Sequence, residues 1–140
     1  MGKKLTSWAF AAALILTVTP LAWAAEAPQG SGEVKRITAA EAKTALAKGK
    51  AVLIDVRTKG AFDGEHAKGA LSMPIAEIPA RLAELPKDKL IIAYCTCGHE
   101  ETSARAALEL AKRGYSKTAA LLGGLSAWKD VGGEVANGGS

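Results

Sequence analysis

Two uninterrupted apolar runs place the strongest constraint on the fold of this chain. They are AVLIDV, residues 51–56, and KLIIAYC, residues 89–95, and neither alternates polar with apolar residues. A strand without a polar face must be covered on both faces, which is typical of the central strands of a parallel sheet. The sequence therefore predicts a sheet with other elements packed against both of its sides.

Helical patterns lie between these strands and the shorter apolar segments EVKRI and TAALL. Thr38 followed by Glu41 is a capping-box pattern that begins one helix, and Gly49 ends it. A second helix is predicted from Ser103 to Arg113. Shorter helices are predicted around residues 60–63, in the amphipathic segment AEIPARLAEL (residues 76–85), and after the glycines at 123–124.

Strands that alternate with helices predict an α/β domain with a parallel sheet and helices on both of its faces. In such sheets the chemistry is located in the loops that follow the carboxyl ends of the strands. Asp55, Cys95 and Cys97 all lie at such strand ends in the sequence. We therefore expect the functional site at that edge.

The N-terminus has the features of a secretory signal peptide. Lys3 and Lys4 begin it, an uncharged apolar stretch follows, and it ends in AWA, with small residues at the positions that a signal peptidase recognises. We expect cleavage after Ala24 and export to a bacterial periplasm, with no stable membrane anchor. An uncleaved anchor is the alternative, because Leu5 to Ala25 is long enough to span a bilayer, but Pro20 and the AWA ending argue against it.

Composition divides the chain into four parts. Residues 1–24 are the predicted signal peptide, 25–32 a flexible linker, 33–131 one domain, and 132–140 a Gly-rich tail with little to pack. The formal charge is +4, and without Lys3 and Lys4 it is +2, from 16 basic and 14 acidic residues. No basic cluster points to a nucleic-acid partner.

Both cysteines of the chain, Cys95 and Cys97, lie between a strand end and a helix start. The helix amides and the positive end of the helix dipole favour a thiolate there, which suits a nucleophilic cysteine. A structural disulfide between residues two apart would be strained and would restrain little of the unfolded chain. Two inert buried thiols are the other alternative, and the neighbouring polar side chains of His99, Glu100 and Glu101 argue against it.

A series of short motifs runs along the chain in a particular order and spacing: Leu53-Ile54-Asp55-Val56-Arg57, Phe62, His66, Gly69-Ala70, Pro74, Tyr94-Cys95, Ser103-Ala104, Gly114-Tyr115, Gly123-Gly124-Leu125 and Ala127-Trp128. Over residues 33–131 this series resembles a rhodanese domain, a single-domain sulfurtransferase. The resemblance implies a three-layer α/β/α fold with a central parallel five-stranded sheet. It also implies a persulfide on a loop cysteine, formed from a small sulfur donor and passed to a thiol acceptor, with no cofactor. We expect a monomer.

The active loop departs from the family pattern, in which four residues separate the cysteine from an arginine. Counted from the strand, Cys95 takes the place of the nucleophile; counted back from the helix, Cys97 does, because the loop is two residues longer. We favour Cys97, whose arginine position is then occupied by Thr102. Glu100 and Glu101 would repel a dianion such as thiosulfate, so a polysulfide, a persulfide or a protein-bound sulfur donor suits the loop better.

The remaining candidate site residues fall into two groups. The loop residues expected to contact substrate are Gly98, His99, Glu100, Glu101, Thr102 and Ser103. The residues expected to be structural are Asp55 and Arg57, which can tie neighbouring loops through charge-assisted bonds, and His66, which can hydrogen-bond to backbone.

Two other functions stay open from the sequence. Cys95, Cys97 and His99 alternate and could bind copper(I) or zinc as soft ligands. A binding domain without turnover is the second alternative, because the loop lacks its arginine.

Overall fold

The computed structural model describes residues 33–96 and 100–138, so the predicted signal peptide, Cys97, Gly98 and His99 lie outside the described residues. Among the described residues, no helix is both long and apolar enough to cross a membrane. The strands are β1 (Arg36–Ile37), β2 (Ala51–Asp55), β3 (His66–Ala67), β4 (Leu71–Ser72), β5 (Leu90–Tyr94), β6 (Thr118–Leu121) and β7 (Val135–Ala136). The α-helices are α1 (Ala39–Ala47), α2 (Lys59–Gly64), α3 (Glu101–Lys112) and α4 (Gly124–Asp130).

The main sheet has five strands in the order β1-β6-β5-β2-β4, and every neighbouring pair is parallel. The two apolar runs form β2 and β5, which lie side by side with Ala51 opposite Leu90 and Asp55 opposite Tyr94. Both have a strand on each side, as uninterrupted apolar composition predicts. The expected α/β fold with a central parallel sheet is confirmed.

Successive side chains of the central strands enter two separate cores. Leu53 and Ile92 pack with Trp128 in a core on the side of α1, α2 and α4. Ile54 and Ile91 pack on the opposite side, in a core that α3 covers. The domain therefore has three layers, with the sheet in the middle.

The first helix begins as its capping box predicts. The Thr38 N–H donates to the Glu41 carboxylate at 2.9 Å, and the Glu41 N–H donates to Thr38 Oγ1 at 3.3 Å. The hydrogen bonds from Thr38 hold the pKa of Glu41 below its ordinary value. After the helix, Gly49 adopts a φ of +66°, and its N–H donates to Leu46 O.

Residues 76–85 do not form the predicted amphipathic α-helix. They lie in two short 3₁₀-helices, Ile75–Ala80 and Leu82–Glu84. Pro79 has no N–H to donate to an α-helical partner, which limits regular helix at this point. The apolar side chains still face the sheet, and Ile78 and Leu85 are buried.

Residues 132–138 pack on the domain, contrary to the expectation of a tail with little to pack. Strand β7 pairs antiparallel with β3, and Glu134 O accepts hydrogen bonds from Lys68 N–H and from Trp128 Nε1. A Cβ on Gly133 would lie 2.3 Å from the Trp128 ring, so the chain passes close against the indole. The glycines allow this close approach, which local composition alone did not indicate.

A chain that ends at Val131 tests this packing. It loses β7 and both hydrogen bonds to Glu134 O, and each such bond contributes about 1 kcal/mol. We expect its free energy of unfolding, measured by urea denaturation, to fall by about 2–4 kcal/mol. A chain that ends at Gly138 is the control and should unfold like the full-length protein. Equal stability of the two truncated chains would show that the last residues contribute nothing.

Candidate active site

The site lies where β2 and β5 end side by side. Asp55 is opposite Tyr94 in the register, and Val56 N–H donates to Tyr94 O at 3.1 Å beyond the last pair. Cys95 follows Tyr94 directly. The structure therefore brings Asp55 and Cys95 to the same edge of the sheet, as parallel strands require.

A buried ion pair occupies this edge. The Asp55 side chain is fully buried and accepts hydrogen bonds from Arg57 Nε and Nη2. Arg57 Nη2 also donates to Glu65 O at 2.7 Å, at the end of α2. The hydrogen bond with Asp55 raises the pKa of Arg57 above its ordinary value. Asp55 and Arg57 thus connect β2 to the end of α2.

Tyr94 joins β5 to the same group. Its hydroxyl accepts the Ala67 N–H at 3.0 Å, and the Arg57 guanidinium lies 5.8 Å from the centre of its ring. Burial raises the pKa of Tyr94 well above its ordinary value, and a hydrogen bond with Asp55 is the second cause of this increase. Tyr94 is therefore a protonated structural link and not a base at neutral pH.

His66 lies on β3 and contacts α2. Its ring stacks on Phe62 with centroids 3.7 Å apart, and Nδ1 is 2.8 Å from Phe62 O. Among the described residues, its buried Nε2 has no hydrogen-bond partner. The backbone contact is of the kind expected from the sequence, and the ring packs against α2.

Cys95 is a buried residue. Only 2% of its surface is exposed, and it packs in the core on the α3 side with Ile54, Ala106 and Leu110. Its Sγ lies 3.9 Å from Ser103 Oγ, and that hydroxyl donates to Glu100 O. The expectation that polar neighbours would keep both thiols out of apolar surroundings is wrong for Cys95, because its side chain follows the inward direction of β5.

The backbone of Cys95 is held by the turn between β6 and α4. Its carbonyl accepts the Leu125 N–H at 3.0 Å. A Cβ on Gly124 would lie 2.0 Å from that carbonyl oxygen, and Gly124 has a φ of +56°. Only glycine satisfies both conditions. The sequence predicted a tight turn here but could not reveal its contact with the cysteine.

The predicted loop residues separate into different places. Glu101, Thr102 and Ser103 form the first turn of α3, two residues earlier than predicted, and Ser103 is buried. Glu101 is exposed. Glu100 precedes the helix, and its carboxylate contacts Gly123 N–H and Arg36. Thr102 is partly buried.

Within residues 33–96 and 100–138, no group of three or more His, Cys, Asp or Glu side chains could hold a metal ion. Two of the three alternative metal ligands, Cys97 and His99, lie outside this part of the chain. The third, Cys95, is buried in the apolar core.

Comparison with known proteins gives a family. A family model described as "Rhodanese-like domain" matches residues 38–131. A "Sulfurtransferase" of Allochromatium vinosum is 35% identical over 77 residues, which are 55% of this chain and 70% of that protein. The "Thiosulfate sulfurtransferase GlpE" of Coxiella burnetii is 30% identical over 95 residues, which are 68% of this chain and 87% of that protein.

Solved structures agree with the fold. The crystal structure of the Alr3790 protein from Anabaena sp. superimposes with a TM-score of 0.66 at 31% identity. The match covers 72% of this chain and 80% of that one.

Removal of the buried charge at Asp55 tests the ion pair. Asp55→Asn keeps the shape but leaves the Arg57 cation without its carboxylate. Because breaking a buried pair leaves an uncompensated charge, we expect the free energy of unfolding to fall by about 3–5 kcal/mol. Asp63→Asn is the control, since it breaks the exposed pair with Lys59 and should cost less than about 0.5 kcal/mol. Similar losses in the two variants would contradict a special role for the buried pair.

The close approach of Gly124 to Cys95 O is tested by comparing alanine substitutions at Gly124 and at Gly114. Gly124→Ala places a methyl group against Cys95 O, whereas Gly114→Ala, at a φ of +90°, meets no atom within 4 Å. Gly114→Ala therefore reports the backbone cost alone, about 1 kcal/mol. We expect Gly124→Ala to lower the melting temperature distinctly more than Gly114→Ala in calorimetry. Equal shifts would mean that the turn moves aside without penalty.

Proposed function

Because the chain belongs to the rhodanese-like domain family, we propose that it is a sulfurtransferase that carries sulfur as a persulfide on Cys97. A thiolate attacks the outer sulfur of the donor, the new S–S bond forms, and the donor's S–S bond breaks with the electron pair leaving on the donor. An acceptor thiolate then attacks the persulfide's outer sulfur and restores the cysteine thiolate. The transfer needs neither an external oxidant nor a reductant.

The observation that supports this proposal most is the position of Cys95 directly after β5, with Cys97 following it in the short stretch of sequence that leads to α3. In a sheet of this kind, that edge is the usual place for chemistry. An anionic sulfur is stabilised there by the amides at the helix start. The family relationship supports the reaction class, and the position of the cysteines in the chain supports a thiol nucleophile.

The burial of Cys95 supports assigning the first attack to Cys97. A nucleophile must meet its donor, and Cys95 is 2% exposed in an apolar core. Apolar surroundings disfavour the thiolate form on which sulfur chemistry depends. We therefore assign the persulfide to Cys97 and a secondary role to Cys95, which lies two residues away in sequence and can receive sulfur or form a transient bridge.

We propose a donor without a second strong negative charge. Thr102 stands where the family has an arginine, and the exposed Glu101 adds a negative charge at the start of α3. A polysulfide or a persulfide meets less repulsion there than thiosulfate. The acceptor in this proposal is a thiol, and the place of action is the periplasm, reached through the signal peptide at residues 1–24.

The burial of Cys95 also weighs against the soft-metal alternative. A site built from Cys95, Cys97 and His99 would need all three side chains to converge on one ion. Cys95 points into the core, with Sγ 3.9 Å from Ser103 Oγ. A binding domain without turnover remains the competing function, and the experiment below separates the two.

Mass analysis of the reduced protein tests the persulfide. The exported protein is purified, incubated with polysulfide or with thiosulfate, and measured intact and after proteolysis; the intact mass also reports cleavage after Ala24. We expect one added sulfur on the peptide with both cysteines, faster from polysulfide. Cys97→Ser should abolish the addition, and Cys95→Ser should retain it. If sulfur is still added to Cys97→Ser, the nucleophile is Cys95 instead. If neither donor adds sulfur to the unmodified protein, the sulfurtransferase proposal is wrong and the binding domain without turnover is the function that remains.

A further inference from the structure

We infer that Glu100 is a positioning residue that fixes the far end of the active loop to the same turn that holds its beginning. Its meaning for catalysis rests on the proposed function. The loop is the segment between Cys95 and Glu100, and the turn is Gly123–Leu125. The sequence suggested instead that Glu100 contacts substrate.

The beginning of the loop is attached to the turn through its backbone. Cys95 O accepts the Leu125 N–H at 3.0 Å, and Gly124 lies so close that a Cβ would come within 2.0 Å of that oxygen. This contact leaves little freedom for the position of Cys95.

The end of the loop is attached to the turn through the Glu100 side chain. Oε1 accepts the Gly123 N–H at 3.0 Å, and Oε2 lies 3.6 Å from Arg36 Nε on β1. Only 15% of the side chain is exposed. A residue that precedes a helix usually uses a side-chain oxygen to accept N–H groups of its own helix. Glu100 makes no such bond and accepts from the turn before α4 instead.

The backbone of Glu100 has an unusual conformation that this arrangement explains. Its φ of +51° is the only positive φ of a non-glycine residue among the described residues. Side chains with a Cβ adopt this region at a cost. Glu100 O accepts hydrogen bonds from Ala104 N–H at 2.8 Å and from Ser103 Oγ at 2.9 Å. Together with the carboxylate contacts, these bonds stabilise the conformation.

The same contacts change the electrostatics expected at the loop. The Glu100 carboxylate accepts a hydrogen bond from Gly123 N–H and lies near the Arg36 guanidinium, so part of its charge is compensated. Glu101 is exposed and forms no ion pair with any described residue. Repulsion of an anionic donor should therefore come from Glu101, while Glu100 should favour the reaction by holding the loop.

These two roles predict effects of opposite sign when each carboxylate is neutralised. The experiment measures sulfur loading of the full-length protein over a range of thiosulfate and polysulfide concentrations. We expect Glu100→Ala to lower the maximal loading rate about tenfold with little change in the half-saturating concentration, because a displaced nucleophile reacts slowly. Glu100→Gln keeps an acceptor for Gly123 N–H and should lose only about threefold. Glu101→Gln should lower the half-saturating thiosulfate concentration about twofold.

Glu109→Gln is the matched control for both variants. Glu109 lies in α3, as Glu101 does, and like Glu100 it is paired with an arginine, in its case Arg113 at 2.7 Å. We expect its loading rate and half-saturating concentration to equal those of the unmodified protein. If Glu100→Ala loads sulfur as fast as the unmodified protein, or faster, the positioning role is wrong.

Amide hydrogen exchange separates a failure of this inference from a failure of the proposed function. Exchange in the peptide that spans residues 95–104 should be faster in Glu100→Ala than in Glu109→Gln, whether or not the protein takes up sulfur. Equal exchange in the two variants would overturn the attachment. If the unmodified protein takes up no sulfur but Glu100→Ala speeds exchange, the attachment stands and the sulfurtransferase proposal falls.

Discussion

The buried pair of Asp55 and Arg57 is the interaction on which the edge with the candidate site depends. Charges taken out of water are stabilised only when geometry and further hydrogen bonds compensate for lost hydration. Here two nitrogens of the Arg57 guanidinium donate to the two oxygens of the Asp55 carboxylate. One of these nitrogens also donates to the Glu65 carbonyl oxygen. A carboxylate at the end of a central strand is therefore fully hydrogen-bonded inside the domain.

Tyr94 extends this pair to the neighbouring strand. It is opposite Asp55, its ring lies beside the Arg57 guanidinium, and its hydroxyl reaches Ala67 on β3. The residue that follows it is Cys95. The position of the first thiol is thus defined by a set of directional polar contacts on one side and by apolar packing against α3 on the other. The loop that follows Cys95 therefore begins from a backbone that has little freedom.

Local sequence predicted most of the fold because most of the fold follows from local patterns. The uninterrupted apolar runs identified β2 and β5, and Thr38 with Glu41 identified the start of α1. Pro79 is a local signal too, and it explains why an apolar stripe with helical spacing does not form an α-helix. The packing of residues 132–138 was missed because β7 has only two residues, and its partner β3 lies far away in sequence.

The candidate site was less predictable for a related reason. The sequence located both cysteines at a strand end, but the burial of Cys95 depends on how α3 packs on the sheet. The contacts of Glu100 with Arg36 and Gly123 join three segments that are distant in the chain. A carboxylate beside a reactive loop looks like part of a substrate site when only its neighbours in sequence are known.

The attachment of both loop ends to one turn has a consequence for how the length of this loop can vary. When both ends of a segment are held by the same few residues, its length can change without moving the sheet or the helices. The chain entropy lost on closing a longer loop is small, about 0.6 kcal/mol for each doubling of length. The two residues by which this loop is expected to exceed the family pattern would therefore cost little. Loops of other lengths, ending in a residue that reaches the same turn, could be exchanged here while the rest of the domain stays in place.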